Sequence, residues 1–199
     1  MQNIISGAHI STPDYAMLED QPIFAYIVNI GMLGEGIVKG VWLPFPTTPE
    51  AVSTALSVIG IDGERYKKWF VAQYVTDIGG LGDCLPFYPG RNELNLLAHI
   101  IMEMDCEDMD IFEAALESGS YKGMENIINL ALNLDCCAFI PDVEDDEDLG
   151  CWHVGGFDFC DVPGIDEFLK HIDMEAYGRS VRESESGDFA DRGYFAVTV

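Results

Sequence analysis

Ile23-Phe24-Ala25-Tyr26-Ile27-Val28-Asn29-Ile30 is apolar but for Asn29 and reads as a buried β-strand. The Gly-rich stretch Gly31-Met32-Leu33-Gly34-Glu35-Gly36 reads as a hairpin turn into a second strand, Ile37 to Leu43, which Pro44 and Pro46 close. Thr47 or Thr48 can then cap a helix over about 49–59. That helix carries Val52, Ala55, Leu56 and Ile59 on one face and stops at Gly60. Trp69 to Thr76 supplies a third strand, and the module ends near Gly79-Gly80. Residues 22–80 are therefore expected to form a small domain of antiparallel sheet and helix, and residues 1–21, which lack periodicity, a loose extension.

Further along, helical periodicity takes over. Asn92 can cap a helix bearing Leu94, Leu97, Ile101 and Met104, and Asp105 can cap the next, which ends at Gly119. A third runs over about 122–134 with Met124, Ile127, Ile128 and Ala131 inward. Short links between such helices predict antiparallel packing, a helical bundle domain over 81–140. Residues 141–199 open with Glu144-Asp145-Asp146-Glu147-Asp148, continue through helices that include one from Asp173 to about Glu185, and close on the strand Gly193 to Val199. They are expected to form an acidic domain of helices and a small sheet, which makes the class α+β.

The charge is lopsided. The 199 residues hold 35 acidic and 10 basic side chains, a formal net charge of −25, yet 48% are hydrophobic. An acidic chain with so many apolar residues can build a core, so its charge lies on a folded surface. Such a surface repels free nucleic acid and anionic membranes and is drawn to a basic protein cleft. No apolar run is long enough to suggest a membrane span. The opening Met1-Gln2-Asn3-Ile4-Ile5 has neither a basic stretch nor a long apolar one, so a signal peptide is not expected. Six cysteines at irregular spacing, two of them adjacent, fit reduced thiols in a cytoplasm.

The acids are concentrated as well as numerous. Residues 103–148 contain 15 acids against one base, Lys122. On the helix over 106–118, Glu107, Asp110, Glu113 and Glu117 share one arc opposite Met109, Ile111, Phe112, Ala115 and Leu116, with Asp108 the exception. At ~1.5 Å rise per residue the four carboxylates span roughly 15 Å. That is about one charge per 4–5 Å, against about 3.4 Å per phosphate on one DNA strand and ~1.7 Å on a duplex. One helix therefore falls short of duplex density, and neighbouring acids must share the face. The candidate partner-binding residues are Glu103, Glu107, Asp110, Glu113, Glu117, Glu144, Asp145, Asp146, Glu147, Asp148, Asp158, Asp161, Asp166 and Glu167. The plain alternative is a solvated acidic face, although solubility alone rarely calls for so few interleaved bases.

Other chemistries find little support. A calcium loop starting at Asp142 would place Glu147 where the sharp turn needs glycine. Cys151, His153, Cys160, Cys136 and Cys137 lack the spacing of a metal site. Gly31, Gly34 and Gly36 match no nucleotide fingerprint, and no nucleophile motif occurs. No catalytic residue, metal or cofactor is expected.

Several stretches together carry a resemblance: Asn29-Ile30-Gly31, Gly34-Glu35-Gly36, Gly40-Val41-Trp42-Leu43-Pro44, Glu93-Leu94-Asn95-Leu96-Leu97-Ala98, Asp146-Glu147-Asp148-Leu149-Gly150, Ile172-Asp173-Met174-Glu175-Ala176-Tyr177-Gly178-Arg179, Gly187-Asp188-Phe189-Ala190 and Gly193-Tyr194-Phe195. Over roughly residues 24–197 the chain resembles the ArdA-type antirestriction proteins of bacterial mobile elements. The resemblance implies three small domains in an elongated homodimer that forms through the C-terminal domain. It also implies an acidic face that imitates bent duplex DNA and occupies the DNA-binding groove of Type I restriction–modification enzymes in the bacterial cytoplasm. Two alternatives stand beside it: mimicry aimed at another nuclease such as a CRISPR effector, and an acidic scaffold or calcium-responsive protein.

Overall fold

The computed structural model describes residues 21–157 and 164–197. All of the expected extension but Gln21 lies outside the described residues, as do Asp158, Asp161 and the side chain of Asp166. The fold is α+β, as expected, with two three-stranded antiparallel sheets among the described residues. The chain divides into two compact units, Met1–Asp105 with Tyr121–Leu132, and Cys106–Ser120 with Asn133–Val199.

The first unit is built on β1 (Ile23–Asn29), flanked by β2 (Gly40–Phe45) and β3 (Trp69–Val75) in the order β2-β1-β3. As the central strand, β1 is buried at all seven positions, which is why its sequence is apolar without alternation. The expected hairpin turn is instead a short helix, α1 (Ile30–Gly34), and the second strand starts at Gly40 rather than Ile37. The Ile37 N–H bonds Met32 O (2.9 Å) and so continues the turn. Pro44 lies inside β2 because an edge strand tolerates a missing N–H.

Asn29, the polar break in the strand, is fully buried and hydrogen-bonded through both ends of its amide. Its Oδ1 accepts from Met32 N (3.1 Å) and caps α1, while its Nδ2 donates to Ile59 O (3.0 Å) beyond α2 (Pro49–Val58). Thr48 is the α2 cap, accepting from Ala51 N (3.2 Å).

After α3 (Leu81–Cys84) comes α4 (Arg91–Glu103), whose start is Gly90 rather than Asn92. Glu93 reaches back to accept the Gly90 N–H (3.0 Å), and Asn95 exchanges two hydrogen bonds with the Thr47 backbone (both 2.8 Å). Leu94, Leu97 and Ala98 are fully buried. Helix α6 (Met124–Ala131) packs on α4. The helices expected as one bundle are thus divided between the units, because α5 (Cys106–Glu117) packs in the other one.

The second unit has the sheet order β4-β6-β5, formed by β4 (Cys137–Pro141), β5 (Asp188–Ala190) and β6 (Gly193–Val197). Its core gathers Ile140, Val143, Leu149, Tyr194 and Ala196, with Val181 and Phe189 against them. Helix α5 packs against all three strands of this sheet and buries Phe112, Ala114, Ala115 and Leu116. Helices α7 (Asp146–Gly155) and α9 (Met174–Glu185) cross at Gly150 and Gly178, and the short α8 (Ile165–Leu169) precedes α9. A Cβ on Gly178 would lie 2.7 Å from Gly150 N and closer still to the Asp146 carbonyl. Only glycine allows that approach.

Candidate partner-binding surface

The acidic arc of α5 and the acidic block that opens α7 both belong to the second unit. The α5 arc holds an internal counter-ion. Arg192, in the turn between β5 and β6, reaches Asp110 (Nη1–Oδ1 3.2 Å), Glu113 (Nη2–Oε2 2.5 Å) and Glu117 (Nε–Oε2 4.0 Å). The spacing of three and four residues lines these carboxylates along one stripe, and a guanidinium with five donors can serve several at once. The side chains of Glu113 and Glu117 are only 16% and 18% exposed, whereas Asp110 is 56% exposed. Burial pushes the Glu117 carboxyl above its ordinary range, against the pull of Arg192, and its Oε2 is buried without a hydrogen-bond partner. Glu107, at the start of the helix, is exposed.

The acidic block has its own division of labour. Asp145 caps α7 by accepting from Asp148 N (2.9 Å), and Asp148 Oδ2 accepts in turn from Glu144 N (3.3 Å). The first turn of a helix favours negative charge, so crowding acids there costs less than elsewhere. Glu144, Asp145, Glu147 and Asp148 are exposed. Asp146 points the other way. Its side chain is 14% exposed and receives Arg182 through Nε (2.7 Å) and Nη2 (3.1 Å), with Arg179 Nε at 3.5 Å. The Arg182 hydrogen bonds hold its carboxyl below the usual carboxylate range. Arg179 also bonds Glu175 (2.5 Å) one turn away.

The remaining candidates are scattered. Glu103 is exposed at the end of α4 in the first unit, and Glu167 pairs with Lys170 (2.9 Å) on an exposed stretch. Asp158 and Asp161, with the Asp166 side chain, fall outside what the structure describes. Arg192 itself carried no signal in the sequence: it lies 82 residues from Asp110, and only the β5–β6 turn brings it to α5. Its backbone is anchored where Asp142, in the left-handed region at φ 62°, donates its N–H to Arg192 O (3.1 Å).

Among the described residues no group of three or more His, Cys, Asp or Glu is placed to hold a metal ion, and no helix is long and apolar enough to cross a membrane. Cys84, Cys106, Cys136, Cys137 and Cys151 are free thiols.

Fold and surface define an α+β protein whose second unit carries a large excess of carboxylate, some of it neutralised from within. The family model described as antirestriction protein (ArdA) matches residues 25–196, and the chain belongs to that family. No curated protein matches the chain. Membership makes it an antirestriction protein.

Proposed function

We propose that the protein inhibits Type I restriction–modification enzymes by presenting carboxylates to the basic groove that otherwise holds DNA. The observation that carries this reading is the charge imbalance of residues 103–148, 15 acids against Lys122 alone. Among those acids Glu107, Glu144, Glu147 and Asp148 are exposed. The six bases of residues 91–199 cannot offset their 26 acids, whatever they pair with. A carboxylate accepts charge-assisted hydrogen bonds from Arg and Lys much as a phosphate oxygen does. Clefts that bind DNA by displacing its counter-ions are built to receive such charge. Two copies joined through the C-terminal part would extend the acidic track beyond the length of one helix. The site of action is then the cytoplasm of the bacterial host, where the enzyme meets DNA.

The test is a purified Type I enzyme assayed for DNA binding and cleavage with this protein as competitor. The protein should displace DNA, and its inhibition should fall as salt rises. Changing Glu107, Glu144 and Glu147 together to Gln should weaken inhibition about tenfold at low salt. The gap should narrow at high salt, where screening already weakens the parent protein. Inhibition that is indifferent to these changes and to ionic strength refutes the reading.

A further inference from the structure

The occupant of the α5 arc is visible in the structure, and it is the group that a DNA-binding groove would bring. Arg192 puts one guanidinium on Asp110, Glu113 and Glu117, yet remains 41% exposed. Its backbone is fixed by the Asp142 N–H bond to Arg192 O, so the side chain alone decides whether the arc is covered. Glu113 and Glu117 are nearly as enclosed as Asp146, which two arginines join, and it is Asp110 that sets the Arg192 cluster apart. The Asp110 end of the Arg192 cluster is open to solvent and to an incoming cation.

Resting on the reading that a basic partner meets this unit, we propose that Arg192 is an intramolecular competitor. It covers Asp110, Glu113 and Glu117 in the free protein and is displaced by arginines of the partner. The arc then adds its charge to the exposed acids only on binding. Affinity is lowered by the work of removing Arg192, and weak, sparsely basic partners are disfavoured because they cannot match its contacts with three carboxylates.

The test uses the full chain and a hexa-arginine peptide, a probe that needs no restriction enzyme. Arg192→Gln should bind the peptide about three- to fivefold more tightly at low salt than the parent, the scale of an exposed ion pair. Lys67→Gln alters net charge by the same amount, at an exposed residue of the first unit, and should change binding less than twofold. Equal gains in the two variants, or weaker binding by a folded Arg192→Gln, overturn the proposal. If Arg192→Gln does not fold, the parent protein decides. On peptide addition the Arg192 Nε–H resonance should shift and exchange faster with water, and a resonance that stays put overturns displacement. A gain with the peptide and no effect on the Type I enzyme would refute the choice of target and leave the competitor role standing.

Discussion

Gly178→Ala should cost the second unit about 1.5–5 kcal/mol. The added methyl would fall 2.7 Å from Gly150 N and closer to the Asp146 carbonyl, both backbone atoms of α7 that no rotamer change can move. Helices α7 and α9 must separate, and overpacking of this kind costs about 1–3 kcal/mol. Separation also stretches the Arg182–Asp146 hydrogen bonds, now 2.7 and 3.1 Å, beyond useful length; charge-assisted bonds contribute about 1.5–3 kcal/mol. Against this, alanine is a better helix former than glycine by ~1 kcal/mol. Gly155→Ala is the matched control, because it lies on α7 with open space around the new Cβ. It should be neutral or mildly stabilising. Urea unfolding followed by circular dichroism measures the loss. Hydrogen exchange locates it, with protection falling in 146–155 and 174–185 and holding in β1. If Gly178→Ala behaves like Gly155→Ala, the close crossing does not hold this unit together and the packing argument fails.

Two further predictions concern the polar joints. Asn29→Leu leaves Met32 N and Ile59 O without their partner at a fully buried position, and should destabilise the first unit by about 2–4 kcal/mol in urea titration; a loss under 1 kcal/mol would contradict the joint. The Asp146 carboxyl, held down by Arg182 in the folded state, contributes stability that is present above the ordinary carboxylate range and is lost as pH falls through the depressed folded value. Asp146→Asn lacks this contribution, so parent and variant should differ most near neutral pH and converge in acid. Parallel pH–stability curves would refute the linkage.

From the sequence alone, a strand starting at Ile23, a threonine-capped α2, the helices α4 to α6 and α9, and the crowding of acids after residue 103 were all legible. Each is a local matter of apolar period, capping side chain or charge count. The motifs that carry the family resemblance turn out to be joints of the fold. Asn29 ties β1 to α1 and α2, Asn95 holds Thr47, and Gly150 and Gly178 let two helices touch. Strands β4 and β5 escaped notice because they are short and lack alternation, so pairing with β6 alone makes them strands. The fate of each carboxylate was equally out of reach. Periodicity puts Asp110, Glu113 and Glu117 on one stripe, but it cannot say what faces that stripe. The tertiary fold brings Arg192 there from across the second unit and turns Asp146 inward to Arg182. Net charge is a property of composition. Which charges a partner can reach depends on long-range packing, and here that packing brings Arg192 onto three of the four acids in the evenest row of the sequence.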